Sequence, residues 1–290
     1  KVGMFTMIIG ATVNIILDPI LIFGLDMGIQ GAAVATVASQ LVAACWVLFY
    51  FTKGKKSSIK IKLSELHLHN QTTKGILMIG LAPFCMQLAG SLVQVVSNKA
   101  LFASGGDMAI GAMAVITSIC SIFIIPIFGL NQGAQPIIGF NYGSGRYNRA
   151  KKTYLVGLFW CTIILLLSTL VIQLIPETLI KMFNNDPELT EIALNGIRVY
   201  LIALPIIGVQ MATSNYFQAV GKPMKAMIIG LTRQVIFLIP AFIIFSRLWG
   251  IKGVWIAGPI CDSLAACLSL GVIIHEFKLL DNKSIPDHEV

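Results

Sequence analysis

The sequence predicts an all-α protein that crosses a membrane several times, and three observations lead to this fold class. The chain has 290 residues, of which 56% are hydrophobic and only 12% are charged. Because a soluble domain carries about 25% charged residues, this chain lacks the polar side chains that would cover a compact soluble fold. Its apolar residues also form long runs, and these runs lack the strict alternation of transmembrane β-strands.

Eight apolar runs are each long enough for one transmembrane helix of about 20 residues. Most are interrupted by glycine, proline or single polar residues rather than by clusters of charge. The six cysteines all lie within these runs and form no CxxC pair, so they are interpreted as packing residues. The predicted helices cover residues 4–23, 29–51, 75–103, 108–138, 153–175, 189–219, 224–246 and 251–275.

The basic residues indicate which side of the membrane each loop faces. When the loops are assigned to alternating sides, 15 Lys and Arg residues fall on one side and 3 on the other. Because cytoplasmic loops of membrane proteins are enriched in Lys and Arg, both ends of the chain are predicted to be cytoplasmic. No aromatic-basic module accompanies the basic loops, so a nucleic-acid partner is not expected.

Two segments of the chain resemble each other at a constant offset of 222 residues. They read GIQGAAVATVASQLVAAC at 28–45 and GIKGVWIAGPICDSLAAC at 250–267, with seven identities in eighteen positions. Each segment has a GIxG turn followed by small residues at every fourth position, which predicts a helix face for close packing in lipid. This face consists of Gly31, Ala35, Ser39 and Ala43 in one copy, and Gly253, Ala257, Cys261 and Ala265 in the other.

The repeat also predicts how the helices are grouped. The two copies are six helices apart, so they have the same orientation and the repeats are parallel. The eight helices are therefore expected to belong to a twelve-helix, two-lobe protein with parallel six-helix repeats, with four further helices before Lys1. The predicted divisions are 1–51 (last two helices of the N-terminal lobe), 52–74 (cytoplasmic inter-lobe linker), 75–276 (six-helix C-terminal lobe) and 277–290 (cytoplasmic tail).

Two polar residues lie within the first predicted helix, in the sequence TVNIILDP. Asn14 and Asp18 are four residues apart and so share a helix face, and Pro19 is expected to kink the helix or free a backbone carbonyl. Polar groups in hydrocarbon are costly without a partner. The pair is interpreted either as a site for a proton or small cation, or as a contact between helices. When Pro19 is aligned with Pro240, the residues opposite the pair are Val235 and Ile239, which favours the site because packing there needs neither polar group.

A second polar set is predicted to line a substrate cavity. One continuous face of the third predicted helix carries Gln87, Ser91, Gln94 and Asn98. Gln210 and Asn215, in the sixth predicted helix, are further candidates for the same cavity. Arg233 is interpreted either as reaching to the membrane surface or as a partner of Asp262, for which Arg198 is the other candidate.

The stretch at 128–152, FGLNQGAQPIIGFNYGSGRYNRAKK, is rich in glycine but lacks the GxxxxGK[ST] pattern and a preceding strand. It is expected to contain a helix broken near Gln135–Pro136 and then a cytoplasmic turn. No Ser/His/Asp set, HExxH motif or pair of carboxylates can be assembled from the predicted helices, so an enzyme is not expected. No cofactor is expected either.

Three segments resemble the multidrug and toxic compound extrusion (MATE) family, in its bacterial multidrug-exporter branch. The resemblance runs along nearly the whole chain. The segments are NIILDPILIFGLDMGIQGAAVAT (14–36), PIFGLNQGAQPIIGFNYGSGRYNRAKK (126–152) and YFQAVGKP (216–223).

The resemblance implies a secondary antiporter of the bacterial cytoplasmic membrane, a monomer when full length, that exchanges drug-like compounds for protons or sodium by alternating access of two lobes. It also implies a cation-coupling site at Asn14, Asp18 and Thr36, with a further aspartate in a helix before Lys1. Sodium at Asn14 and Asp18 is the one metal ion it suggests. Some relatives have acidic residues in the second lobe where this chain has Ser91 and a residue near Ile206, so a cation site there is not implied.

Three other functions are consistent with parts of the sequence. A flippase of lipid-linked precursors with similar lobes would favour basic residues along the cavity, whereas the candidates here are amides and hydroxyls. An intramembrane enzyme would need a catalytic set, which the sequence does not show. A channel would need a ring of like ligands from symmetric units, which the unequal lobes do not provide.

Overall fold

The structure is a computed structural model that describes residues 2–53 and 70–281. In these two ranges every regular element is helical, which confirms the predicted all-α fold class. Most of the predicted linker, residues 54–69, and the end of the predicted tail, residues 282–290, lie outside the described ranges. The helices are α1 (Val2–Pro19), π1 (Ile20–Gly24), α2 (Gly28–Lys53), α3 (Asn70–Gly143), α4 (Tyr147–Leu174), α5 (Pro176–Lys181), α6 (Pro187–Tyr200), α7 (Leu204–Ala219), α8 (Pro223–Leu231), π2 (Thr232–Leu238), α9 (Ile239–Trp249) and α10 (Ile251–Asp281).

Six helices in the described ranges are long and apolar enough to cross a membrane, and the bent pair α6–α7 would make a seventh. One of the six is α3, which is interrupted at Gly106, where φ is 66° and ψ is −158°. This break separates the predicted runs 75–103 and 108–138, so α3 consists of two helices in sequence. The pair α6–α7 bends by 58° within the predicted run 189–219. The chain is therefore a polytopic membrane protein.

The chain divides into two compact units, Lys1–Thr73 and Lys74–Val290. In the first unit, α1 and π1 pack against α2. In the second unit, α7 lies between α4 and α10, and α10 also packs against α6, α9 and π2. Helix α10 continues to Asp281, so the first residues of the predicted tail are helical.

Both π-helical segments adjoin a proline. Pro19 ends α1, and the next five residues form π1, with the Leu25 amide donating to the Ile20 carbonyl at 2.9 Å. Pro240 follows π2. A proline has no N–H to donate to the carbonyl four residues before it, and its ring pushes that carbonyl aside. The wider π turn accommodates that displaced carbonyl, and such turns occur often at functional sites.

The first glycine of each GIxG turn takes a backbone conformation that other residues rarely adopt. Gly28 has a φ of 52° and Gly250 has a φ of 58°. A side chain at positive φ crowds the following carbonyl, so glycine is favoured at both positions. The two copies of the repeat therefore share a turn geometry as well as a sequence.

The fourth residue of each turn allows helices to approach closely. A Cβ atom added at Gly31 would lie 2.7 Å from the Leu21 carbonyl oxygen, and one at Gly253 would overlap the Phe245 carbonyl oxygen. Of the eight small residues on the predicted packing faces, seven are buried and Ala43 is half-buried. This burial confirms that the small residues serve helix packing.

The core of the second unit joins both halves of α3 to α6, α9 and α10. Leu101, Ile116, Phe242 and Trp255 are all at most 3% exposed. Gly196 of α6 lies against this core, because a Cβ atom there would be 2.8 Å from the Trp255 ring. The core therefore holds the membrane-crossing helices together by side-chain packing, since lipid provides little hydrophobic drive between helices.

The expected helix break near Gln135–Pro136 is wrong. Helix α3 continues through Pro136 to Gly143, and its only non-helical residue is Gly106. A proline is tolerated inside a membrane helix when neighbouring groups compensate for the freed backbone. Here the helix also packs closely just beyond the proline, because a Cβ atom at Gly139 would lie 2.9 Å from the Ala219 carbonyl oxygen.

Gly253→Ala should destabilise the second unit, because the new Cβ atom would overlap the Phe245 carbonyl and force α9 away from α10. Overpacking of this kind costs about 1–3 kcal/mol or more. Gly271→Ala, on the same helix with no atom within 4 Å of the new Cβ, is the matched control. Thermal unfolding in detergent should show a clear loss for Gly253→Ala and none for Gly271→Ala, whereas equal midpoints would contradict the packing argument.

Candidate functional site

The first unit brings Asn14 and Asp18 together on one face of α1. The Asn14 amide nitrogen donates to a carboxylate oxygen of Asp18 at 3.5 Å, the outer limit of a hydrogen bond. Both side chains are half-buried, and Asp18 stands one residue before Pro19, where the helix changes to π1. A weak bond leaves carboxylate lone pairs free for another ligand.

Thr36, the third predicted member of the cation site, lies on α2, which packs against α1. Its side chain is exposed, and its hydroxyl donates to the Ala32 carbonyl at 2.9 Å within the same helix. The hydroxyl oxygen can still accept a hydrogen bond or coordinate a cation. Among the described residues, no hydrogen bond joins Thr36 to the Asn14–Asp18 pair, so its membership of the site remains a prediction.

The polar face of the third predicted helix lies on the first half of α3. Gln94 donates to Asn98 at 3.3 Å, and the Ser91 hydroxyl donates to the Gln87 carbonyl at 3.2 Å. Asn98 is half-buried and the other three are exposed. These four residues form a continuous polar face, as their spacing predicts, but they do not line the cavity described next.

A cavity of about 610 Å³ opens inside the second unit. It lies between both halves of α3, the end of α6, α7, π2 and α10, and its apolar wall includes Met86, Ile124, Phe128, Ile207 and Met211. Small-molecule sites usually measure about 300–1,000 Å³ and combine apolar walls with a few polar groups. The cavity therefore has the size and the mixed lining of a site for an organic molecule.

Seven carboxamide side chains line this cavity, and two of them, Gln210 and Asn215, were predicted from the sequence. Gln210 is 8% exposed, and the Asn215 amide donates to the Asn131 carbonyl at 3.0 Å, which ties α7 to α3. A carboxamide both donates and accepts, so this lining can satisfy many polar ligands without a fixed charge. The seven are Asn131, Gln132, Gln135, Gln210, Asn215, Gln218 and Gln234.

Two polar atoms at the cavity have no hydrogen-bond partner among the described residues. They are the Ser214 hydroxyl, on a side chain that is 7% exposed, and the Gln234 amide oxygen. A buried polar atom without a partner is costly, and water or a ligand normally satisfies it. These atoms therefore leave unsatisfied hydrogen-bonding capacity in two side chains of the cavity wall.

Arg233 and Asp262 are the charged residues of the cavity lining. The Arg233 Nε atom donates to an Asp262 oxygen at 2.6 Å, and the two side chains are 23% and 5% exposed. The sequence left Arg198 or Arg233 as partners of Asp262, and the structure selects Arg233, which π2 turns inward. The pair makes the lining neutral overall but strongly dipolar at one wall.

Sequence reasoning missed the amides at 131, 132 and 135, although their pattern was available. Asn131 and Gln135 are four residues apart, as are Phe128 and Gln132, so the spacing places them on adjoining helix faces. The glycines around them suggested a broken helix rather than a cavity wall. Ser214 carried no sequence signal of this kind, whereas Gln234 is a polar residue within the predicted run 224–246.

Removal of one partner of the Arg233–Asp262 pair should destabilise the second unit, because the remaining charge would be buried without compensation. Asp262→Leu alone should cost about 3–5 kcal/mol, whereas Arg233→Met with Asp262→Leu should recover most of that loss. Thermal unfolding of the two single variants and the double variant in detergent measures the coupling between the residues. Additive effects of the two single changes would contradict the pairing.

Comparisons with known proteins place this fold and site in a family. Residues 83–243, more than half of the chain, match the family model MatE. The matched range includes most residues of the cavity, the π2 segment and the polar face of α3.

Curated relatives cover a longer protein than this chain. The chain is 28% identical over 273 residues to the multidrug export protein MepA of Staphylococcus aureus (strain bovine RF122 / ET3-1), which covers 94% of this chain and 59% of that relative. It is 29% identical over 272 residues to the multidrug export protein MepA of Staphylococcus saprophyticus, over 92% of this chain and 59% of the relative. The chain thus spans about 59% of the length of these relatives.

Solved structures show the same fold. A crystal structure of MATE in the straight conformation is similar with a TM-score of 0.89 and 24% identity, over 96% of this chain and 63% of that chain. A MOP superfamily transporter from Pyrococcus furiosus gives the same TM-score and identity over the same shares. On its fold and on the family model that covers most of its length, the chain belongs to the MatE family.

Proposed function

We propose that the protein is a secondary active antiporter that exports organic, often cationic, compounds in exchange for protons or sodium. The Asn14–Asp18 pair is the proposed coupling site, with Thr36 as a further ligand, and the cavity of the second unit is a proposed substrate-binding site. The observation that carries the proposal is a carboxylate within a membrane helix whose one described hydrogen bond is long.

The chemistry of Asp18 suits reversible binding of a proton or a sodium ion. A carboxylate in a membrane-spanning helix is costly, so natural proteins keep one there chiefly for function. Its weak bond to Asn14 contrasts with the 2.6 Å bond that neutralises Asp262. Asp18 can therefore exchange its ligand, whereas Asp262 is held by a fixed cation.

Exchange requires that the ion and the substrate favour different conformations. A ligand shifts a conformational equilibrium only by its difference in affinity for the two states. The proposed mechanism is alternating access: ion binding at Asp18 stabilises one state, and substrate binding stabilises the other. The names of the MepA relatives support multidrug export as the outcome of this cycle.

The membrane orientation follows from the same proposal. The basic residues at the junction of α3 and α4 and at the end of α10 would face the cytoplasm, in a bacterial cytoplasmic membrane. Substrates would enter from that side and leave on the other. The protein would work as a monomer with the bilayer as its partner, and with no bound cofactor other than the coupling ion.

A flippase of lipid-linked precursors is the second candidate, and the cavity lining distinguishes it from the first. A site for a diphosphate headgroup needs several unpaired cations. The cavity contains one arginine, and that arginine is paired with Asp262. A lining of amides and apolar side chains instead favours organic compounds with few negative charges.

Asp18→Asn should abolish ion-driven export without loss of membrane insertion, because the amide cannot exchange a proton and binds sodium weakly. The protein expressed from its complete gene, reconstituted in vesicles with an imposed proton or sodium gradient, should transport ethidium at least tenfold more slowly. Asp26→Asn is the matched control: Asp26 is exposed, and its φ of 55° suits asparagine. Unchanged transport by the Asp18→Asn variant would contradict a role of Asp18 in ion coupling.

The cavity and the α3 face can be tested against each other with one type of substitution. Gln210→Leu removes a carboxamide from the cavity, and Gln94→Leu removes one from the exposed face. Loss of one hydrogen bond to the ligand, at about 0.5–1.5 kcal/mol, should weaken ethidium binding about 2- to 12-fold for Gln210→Leu. If instead only Gln94→Leu weakens binding, the α3 face is the binding surface and the cavity is not.

A further inference from the structure

One end of the second unit carries a network of ion pairs around two acids, the buried Glu276 and the exposed Asp281. Glu276 is 2% exposed and accepts hydrogen bonds from Lys222 and, at 2.8 Å, from Lys225. Asp281 pairs with Lys151. These contacts join the start of α4, the turn before α8 and the end of α10.

The same three lysines also lie close to aromatic rings. Lys151 lies 5.5 Å from the Phe277 ring, Lys222 lies 5.6 Å from the Tyr142 ring, and Lys225 lies 5.4 Å from the Phe217 ring. Burial disfavours the charged form of Lys222, yet hydrogen bonds to Glu276 and Tyr142 together hold its pKa above the ordinary value. All three lysines therefore already have partners within the unit.

This network leaves out other cations at the same end, and Arg149 and Lys152 are two of them. Arg149 and Lys152 are exposed, and they form no ion pair with any residue in the described ranges. Both line a groove of about 360 Å³ between the end of α3 and the start of α4. The other residues of the groove are Ile137, Asn141, Thr153 and Val156.

The position of these cations is electrostatically unusual. They lie in the first two turns of α4, where exposed amide groups already create a positive end of the helix. The first turn contains no acidic residue, and the side chain of the N-cap residue Arg146 does not cap the helix with a hydrogen bond. The two cations and the positive end of the helix therefore repel each other, and a bound anion would reduce this repulsion.

The polar residues of the groove bond mainly to the backbone, which leaves the two cations as its charged donors. The Asn141 amide donates to the Ile137 carbonyl at 2.8 Å, and the Thr153 hydroxyl donates to the Arg149 carbonyl at 2.8 Å. An arginine can hold two oxygens of one phosphate with parallel hydrogen bonds, and a nearby lysine adds a point charge. The groove is thus suited to a phosphate group.

The part of the groove formed by Ile137 and Val156 is apolar, and it continues into an apolar surface along α4. Ile137 is 52% exposed and Val156 is 50% exposed. One turn further along α4, Phe159 and Trp160 are 60% and 51% exposed. In a membrane-crossing helix such a surface suits acyl chains, which a free phosphate lacks.

We propose that this groove, formed by Arg149, Lys152, Ile137 and Val156, binds an anionic phospholipid, with the phosphate on the two cations and the acyl chains along α4. Basic pockets between membrane helices are known to bind such headgroups. The bound lipid would fix the junction of α3 and α4 at the membrane surface. The proposal is independent of the transported compound and of the coupling ion.

The test compares phosphatidylglycerol with phosphatidylcholine of the same acyl chains. The purified protein, expressed from its complete gene, is titrated with each lipid in detergent, and bound lipid is counted by native mass spectrometry. Two cations at a lipid surface should favour phosphatidylglycerol about 25-fold. Arg149→Gln with Lys152→Gln should reduce that preference to near unity.

The matched control removes the same charge elsewhere. Lys74 and Lys278 are exposed, lie outside the groove, and form no ion pair within the described ranges. Lys74→Gln with Lys278→Gln should keep the preference for phosphatidylglycerol. An equal loss in the control would show a general effect of net charge and overturn the site.

Two further outcomes also decide the proposal. Unfolding midpoints in phosphatidylcholine should be equal for both double variants and the parent, because all four side chains are exposed. Glycerophosphoglycerol, a phosphate diester that has the headgroup and its single charge without acyl chains, should bind at least tenfold more weakly than phosphatidylglycerol. Equal binding of glycerophosphoglycerol, or an unchanged lipid preference in the Arg149–Lys152 variant, would overturn the proposal.

Discussion

The cost of polar groups in hydrocarbon is the constraint on which this structure depends. The backbone meets it by forming helices, and hydroxyl side chains meet it by donating to carbonyls one turn earlier, as Thr169 does to Leu165. Asp262 offsets the cost through its hydrogen bond with Arg233. Three polar groups have a weak partner or no described partner: the Asn14–Asp18 pair, the Ser214 hydroxyl and the Gln234 amide oxygen. The proposed function assigns ion binding and substrate binding to these exceptions.

Close contact between backbones provides the framework that holds these exceptions in place. Gly31 and Gly253 each allow a helix to lie against the carbonyl of the preceding segment, and Gly196 admits the Trp255 ring. Lipid does not drive helices together, so this packing takes the place of hydrophobic collapse. The π-helical segment before Pro240 then turns Arg233 and Gln234 toward the cavity.

Features that depend on local chemistry could be predicted from the sequence, and features that depend on three-dimensional placement could not. The apolar runs, the GIxG turns and the small-residue faces follow from residue type and spacing, and burial confirms them. The path of α3 through Pro136 was mispredicted because neighbouring helices compensate for the proline. The partner of Asp262 and the amides at 131, 132 and 135 depend on which helix faces meet. The role of Asn14, Asp18 and Thr36 remains a prediction.

The central claim is that substrate and ion are exchanged through Asp18, and linkage gives it a direct measurement. If each ligand weakens the other, substrate binding must release the ion. Ethidium added to the purified protein should release protons into weakly buffered solution, or displace radioactive sodium, and Asp18→Asn should release neither. Equal release by the parent protein and the Asp18→Asn variant would contradict the account.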